Sequence, residues 1–164
     1  MVDEKYRVVV EEILAMAKAD QDMRFRRTPV DPDMDRRHSE RMKEIVTEFG
    51  WPTIQRFGKE ASHMAWLLVQ HADHDVEFQA LCLKKIYWLR KGQFDPRNLA
   101  LLEDRVRVNT GRPTLYGSQF YTDDNGVYGP RPIEKPEELD NRREVMGLGP
   151  FAEYEKEMRR IDKK

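Results

Sequence analysis

The sequence predicts a mainly α fold, a single-domain helical bundle with one small β-hairpin late in the chain. Apolar residues recur at the 3.6-residue period of an amphipathic helix in five segments before Gly111. After Gly111 the pattern changes to two short apolar stretches around a turn. A length of 164 residues suits one core, so we expect one domain over residues 1–164.

The first two predicted helices each carry one apolar stripe. The first stripe consists of Tyr6, Val9, Val10, Ile13 and Ala17. A charged break with two prolines follows, and the second helix begins near Asp35 and stops at Gly50. Its stripe consists of Met42, Ile45, Val46 and Phe49.

The next three predicted helices form the middle of the chain. The third, about Lys59–Ala72, is apolar all round at Met64–Val69, so we expect it to be central. Asp75 is the predicted N-cap of the fourth helix, and Asp95-Pro96 begins the fifth. The inward face of the fourth helix is predicted to be Phe78, Leu81, Cys82, Ile86 and Leu89. That of the fifth is predicted to be Leu99, Leu102 and Val106.

The β-hairpin is predicted at about residues 115–133. Two stretches, Leu115–Thr122 and Val127–Ile133, flank the turn residues Asp123–Gly126. Prolines in the second stretch restrict it to an edge strand. Two short helices, about Pro136–Met146 and Pro150–Ile161, end the chain.

Composition narrows the classes of partner. Lys and Arg number 29 against 30 Asp and Glu, and this balance argues against a nucleic-acid partner. No apolar run is long enough for a membrane span, and the first residues lack the pattern of a secretory signal. The single cysteine, Cys82, excludes an internal disulfide. We therefore expect a cytoplasmic protein with no membrane partner.

The densest polar cluster, Gln70–Asp75, follows the most apolar helix. His71 continues the helical period of Leu67, so its ring is expected to point partly inward. A histidine beside Asp73 at a helix C-terminus can serve as an acid or a base near neutral pH. The alternative is a structural His71 that bonds a buried carbonyl.

A second candidate lies on the fifth predicted helix, which is apolar on two sides around Asp104 and Arg105. Buried charges of this kind are either paired or used in function. In the functional interpretation Arg105 binds an anion, and Asp104 orients another group or acts as a base. The alternative is a structural ion pair.

Two further clusters contain groups that could contact a ligand. Tyr116 and Gln119 offer a phenol and a carboxamide around Gly117, although an ordinary packed strand is equally consistent with the pattern. Asp20 and Arg24 stand four residues apart on the first helix. They are most simply an ion pair at a solvated helix end.

The chain resembles a bacterial family of unknown function, domain-of-unknown-function family 6624, from Asp20 to about Tyr154. The matching blocks are Asp20-Gln21 with Arg24, Gly50-Trp51-Pro52, Gly58, Gln70–Asp73, Asp104–Val106, Tyr116–Gln119, and Arg142-Arg143 before Gly147-Leu148. Ser118 stands where the family commonly has threonine, and His38 where it has asparagine. The resemblance implies no activity, but it implies that His71, Asp104, Arg105 and Gln119 belong to one site.

These observations lead to one main functional hypothesis and two alternatives. The main one is an enzyme or ligand-binding domain with a polar pocket, in which His71 transfers a proton and Asp73 or Asp104 orients its ring. Small anionic or peptide-like ligands would be bound without an organic cofactor by a set of polar side chains: Arg24, Gln70, Arg105, Tyr116 and Gln119. We assign no metal ligand in this hypothesis.

The first alternative is a metal-dependent hydrolase of the histidine–aspartate type. His74, Asp75 and Asp104, with His38 or His63, would hold the ion. The second is a non-enzymatic protein-interaction module that uses exposed aromatic residues of the hairpin: Phe120, Tyr121 and Tyr128.

Overall fold

Eight α-helices and one two-stranded hairpin form the part of the chain that the computed structural model describes, residues 4–162. The helices are α1 (Arg7–Arg24), α2 (Met34–Phe49), α3 (Ile54–Phe57), α4 (Lys59–Gln70), α5 (Val76–Tyr87), α6 (Pro96–Asn109), α7 (Leu139–Val145) and α8 (Phe151–Asp162). The strands are β1 (Phe120–Thr122) and β2 (Tyr128–Pro130). The predicted fold class is confirmed. None of the described helices combines the length and the apolar composition needed to cross a membrane.

The chain divides after Asp95 into two compact units, called here the N-terminal and the C-terminal unit. In the N-terminal unit α4 is central, because α1, α2, α3 and α5 all pack against it. Its core consists of Tyr6, Val9, Val10, Ile13, Ala17, Met23, Met42, Ile45, Val46, Trp51, Phe57, Ala61, Ala65, Trp66, Leu68, Val69, Ala72, Phe78, Cys82, Leu83 and Ile86. The predicted stripes of the first two helices and the central third helix are thus confirmed, while a single domain over residues 1–164 stays a prediction.

Helix α5 differs from its prediction on one face. Asp75 is the N-cap as predicted, and its Oδ1 accepts the Phe78 backbone N–H at 2.9 Å. Leu81, however, is 49% exposed, and Leu83 is buried. The buried face follows Phe78, Cys82 and Ile86, with Gln79 and Leu83 beside them, so Leu81 falls outside it.

The C-terminal unit contains α6, the hairpin, α7 and α8. The predicted inward face of α6 is confirmed, since Leu99, Leu102 and Val106 are buried. β1 and β2 pair antiparallel with Tyr121 opposite Gly129, in a shorter hairpin than predicted.

The hairpin aromatics are half-buried, which corrects the expectation that they are exposed. Phe120 stacks on Tyr128 with ring centroids 5.5 Å apart, and it meets the Tyr154 ring of α8 edge-on at 5.8 Å. Packing between β2 and α8 therefore occupies the ring surface that was expected to meet a partner.

Candidate functional site

The centre of the candidate site in the N-terminal unit is Asp20, which is fully buried. This corrects the prediction of a solvated ion pair at the end of α1. Asp20 follows Ile13 and Ala17 along the buried stripe, so the helical period places its carboxylate against the core. A carboxylate at such a position requires hydrogen-bond donors.

His71 supplies one of these donors. It directly follows the last residue of α4, and its Nδ1 lies 3.0 Å from Asp20 Oδ1 and 3.1 Å from Oδ2. Arg24 Nε–H is also directed at this Nδ1, at 3.0 Å. A carboxylate only accepts hydrogen bonds, and Arg24 Nε–H also reaches Asp20 Oδ1 at 3.0 Å. We therefore assign the proton to Nδ1, which donates to Asp20.

The second ring nitrogen of His71 has a different environment. Nε2 has no hydrogen-bond partner within residues 4–162, and the His71 side chain is 19% exposed. With the proton on Nδ1, Nε2 carries a lone pair. His71 thus has one nitrogen held by a buried carboxylate and the other available to a ligand.

Arg24 extends the cluster to α2. Its Nε donates to Asp20, and its Nη2 donates to Asp35 Oδ1 at 2.7 Å. Nη1 forms no hydrogen bond with any residue that the structure describes, and the Arg24 side chain is 34% exposed. The predicted Asp20–Arg24 pairing is confirmed, and one edge of the guanidinium can still bind an anion.

The pKa of Asp20 lies below its usual value. Burial raises it, but this effect is outweighed by the hydrogen bond and charge of His71, the 2.8 Å hydrogen bond from Gln21 Nε2 and the charge of Arg24. The carboxylate is therefore ionised at neutral pH. It can stabilise a positive charge on the His71 ring.

Two more histidines of the N-terminal unit are related to this cluster. His38 lies near it in space, and His74 follows it closely in sequence. His38 is a second imidazole whose Nδ1 is buried and has no partner among the described residues. Burial lowers its pKa, although the charges of Asp20 and Asp35 oppose the change. His74 is exposed, and its Nε2 lies 2.9 Å from Oγ of the buried Ser39.

The predicted residues Gln70 and Asp73 surround the junction between α4 and α5. The buried Gln79 side chain donates to the Val69 and Gln70 carbonyls at 3.1 and 3.3 Å, and to Asp73 Oδ1 at 3.2 Å. Gln79 therefore fixes the main chain just before His71. The ring-orienting carboxylate is Asp20, whereas the sequence prediction named Asp73 or Asp104.

In the C-terminal unit the fully buried Asp104 anchors a loop. Its Oδ1 accepts the Leu115 and Tyr116 backbone N–H at 2.6 and 3.1 Å, and its Oδ2 accepts both the N–H and Oγ–H of Ser118 at 2.9 Å. Burial raises the pKa of Asp104, and these hydrogen bonds oppose that change. The predicted role in catalysis stays a prediction.

Two arginines of α7 hold the same loop through its carbonyl groups. Arg142 Nε donates to the Leu115 carbonyl at 2.8 Å, and Arg143 Nη1 donates to the Tyr116 carbonyl at 2.6 Å. Arg143 is 2% exposed, and its guanidinium lies 4.9 Å from the Tyr154 ring centroid. Both arginines therefore help to fix the path of this loop.

The remaining predicted residues lie in or before this loop. Tyr116 is half-buried, and Gln119 is buried with its Nε2 3.3 Å from Ser118 Oγ. Arg105 is half-buried on α6. A common pocket for His71, Arg105 and Gln119 stays a prediction.

A metal-dependent hydrolase requires several ligating side chains gathered around one point. Within residues 4–162, no three His, Cys, Asp or Glu side chains are grouped as a metal ion would require.

Cys82 is buried, and burial raises the pKa of its thiol to about 12. At neutral pH this side chain is therefore a protonated core residue, as predicted.

Comparison with known families identifies the chain at the family level. The model of a family of unknown function, DUF6624, matches residues 8–161. The chain belongs to the DUF6624 family. The resemblance inferred from the sequence is therefore confirmed. No curated protein and no solved structure matches this DUF6624 protein.

Sequence reasoning missed Asp20 and Ser118 as the partners of predicted residues. A signal for Asp20 was present, because an aspartate three residues beyond Ala17 continues an apolar stripe. Ser118 had only a weak signal, a hydroxyl residue shortly after Gly117 in a turn. Nothing in the spacing along the chain pairs it with Asp104.

Proposed function

We propose that this DUF6624 protein is an enzyme or ligand-binding domain in which His71 accepts and returns a proton of a small polar ligand. The observation that carries the proposal is the pair formed by His71 and the buried Asp20. One imidazole nitrogen is 3.0 Å from the carboxylate, and the other has no partner within the described chain. This arrangement fits a general acid–base group held in one tautomer.

The proposed reaction uses His71 twice. Nε2 first takes a proton from the attacking hydroxyl group or water, and the imidazolium is stabilised by Asp20 at Nδ1. Nε2 then returns that proton to the leaving group, so the enzyme ends in its starting state. A positioned histidine of this kind contributes about 10²–10⁴-fold to rate.

The guanidinium of Arg24 indicates that the proposed ligand is anionic. Its Nη1 retains two N–H donors, while Nε and Nη2 are bound to Asp20 and Asp35. Because Nε lies 3.0 Å from His71 Nδ1, an anionic group bound at Nη1 of the same guanidinium would lie close to the His71–Asp20 pair. We therefore propose a carboxylate- or phosphate-bearing ligand.

The tautomer of His71 provides the first test, and it needs no substrate. Nitrogen-15 NMR of the imidazole should show the proton on Nδ1 in the wild type, whereas free histidine favours Nε2–H. Asp20→Asn should move the proton to Nε2, because the amide group can donate to Nδ1. A wild-type ring protonated on Nε2 alone would remove the basis of the proposal.

Turnover provides the second test. The wild type, His71→Asn and the matched control His74→Asn are incubated with a mixture of small carboxylates and phosphate esters, and substrate loss is followed by mass spectrometry. We expect loss with the wild type and His74→Asn, and at least a 10²-fold slower reaction with His71→Asn. Equal rates in all three proteins would exclude His71 from the reaction. Compounds that bind without loss would limit the proposal to a binding domain.

A further inference from the structure

Two polar side chains on α4 are buried without a partner. Trp66 Nε1 and Gln70 Oε1 form no hydrogen bond with the described residues, although the two residues are only 9% and 6% exposed. Native proteins rarely leave buried polar atoms in this state, because each costs the free energy of its lost hydration.

The two residues form a pair on one face of the helix. They are four residues apart on α4, so their Cβ atoms lie about 6 Å from each other. Trp66 offers an N–H donor, and Gln70 offers a carbonyl acceptor. A single group that satisfies both would carry an acceptor and a donor on the same edge.

We propose that Trp66 and Gln70 form a subsite for a primary carboxamide or a lactam. In these groups the C=O and one N–H lie on the same edge of the planar amide group. The ligand oxygen accepts from Trp66 Nε1–H, while the ligand N–H donates to Gln70 Oε1. A carboxylate lacks the donor, and a trans secondary amide directs its N–H away from its oxygen.

The subsite adjoins the proposed acid–base group. Gln70 precedes His71 directly, and the Gln79 side chain donates to the main-chain carbonyl of Gln70 at 3.3 Å. The subsite and the proposed acid–base group therefore lie at the same end of α4. The use of the subsite in a reaction depends on the proposed function, whereas the binding itself does not.

Three small probes distinguish this subsite from a water-filled gap. Acetamide, acetate and N-methylacetamide are titrated separately into the nitrogen-15-labelled protein, and the tryptophan indole N–H signals are followed by NMR. Trp66→Phe identifies the Trp66 signal, and the 83% exposed Trp88 is the internal control. We expect acetamide to shift the Trp66 signal saturably, and acetate and N-methylacetamide to leave it unsaturated.

Gln70→Met is the matched variant, because it keeps the length of the side chain and removes its carbonyl. Saturation by acetamide should disappear in Gln70→Met and remain in His71→Asn. An unsaturated response to acetamide, an equal response to all three probes, or saturation that survives in Gln70→Met would overturn the proposal. The probe comparison in the wild type decides the matter even if Gln70→Met does not fold. Loss of turnover in His71→Asn with acetamide binding intact separates this test from that of the proposed function.

Discussion

Asp20 and Asp104 are both fully buried aspartates on helices, one in each unit, but their surroundings differ. The partners of Asp20 are the side chains of Gln21, Arg24 and His71. The partners of Asp104 come from one loop and are mostly backbone N–H groups. Backbone donors cannot change protonation state, whereas an imidazole can. The same residue type is therefore a loop anchor in one unit and, in the proposed function, part of a proton-handling pair in the other.

The direction of the pKa change separates the two carboxylates further. The pKa of Asp20 is lowered, because the charges and hydrogen bonds of its partners outweigh burial. The pKa of Asp104 is raised, because burial outweighs hydrogen bonds from neutral donors. Neighbouring cations and side-chain donors thus lower the pKa of Asp20, whereas burial dominates at Asp104.

The largest loss of stability is expected when Asp104, which anchors the loop, is replaced. Asp104→Ala leaves three backbone N–H groups and the Ser118 hydroxyl without their acceptor, so the free energy of unfolding should fall by about 3 kcal/mol or more. Chemical denaturation followed by circular dichroism measures this change. Asp104→Asn keeps one carbonyl oxygen and should lose less. Equal stability of Asp104→Ala and wild type would disprove the anchor role.

The anchored loop is also expected to require glycine at position 117. Gly117 has a φ of +65°, and an added Cβ would lie 2.7 Å from Phe151 Cε2. Gly117→Ala should therefore cost about 2 kcal/mol, from backbone strain and the forced movement of the ring. Gly92→Ala is the control, because Gly92 also has a positive φ of +87° but open space at its Cβ. Equal losses in the two variants would mean that the contact with Phe151 has no cost.

A smaller loss of stability is expected at the side-chain pair. Asp20→Asn keeps an acceptor for one of the donors and should cost about 1–2 kcal/mol. The turnover assigned to His71 should fall together with stability in this variant. A fully active Asp20→Asn would show that Asp20 has only a structural role.

The dependence of the free energy of unfolding on pH, below neutral pH, should distinguish His38, Asp104 and Asp20, whose pKa values are all shifted. The pKa of His38 is lowered from 6.5, so its contribution to stability is lost as the pH falls from 6.5 to its folded value. Asp104 has a pKa raised above 3.8, so its contribution grows as the pH falls through that raised value towards 3.8. The contribution of Asp20, with a pKa lowered from 3.8, is present above pH 3.8 and lost below it.

Each of these pH ranges is tested with a single variant, whose free energy of unfolding in urea is measured at a series of pH values. Relative to the wild type, His38→Asn should flatten the curve below pH 6.5, and Asp20→Asn should flatten it below pH 3.8. Asp104→Asn should instead steepen the curve above pH 3.8. The same change of slope in Asp20→Asn and Asp104→Asn would contradict the contrast between the two carboxylates.

The helical order and the hairpin could be predicted from the sequence because their signals are local. Stripes such as Val9–Ala17, the cap at Asp75 and the turn at Asp123–Gly126 depend on residues only a few positions apart. The burial of Leu81 was mispredicted, because burial also depends on contacts between helices. The period of apolar residues along one helix does not tell which of its residues the neighbouring helices cover.

The sequence by itself determined every α-helix except the four-residue α3, the hairpin, the central place of α4 and the family. The tertiary structure decided which polar groups meet. Asp20 and His71 are 51 positions apart, and Asp104 and Ser118 are 14 apart, so no local period relates them. Spacing along the chain encodes which face of a helix is buried, whereas a buried carboxylate finds its donors only when separate segments pack together and exclude water.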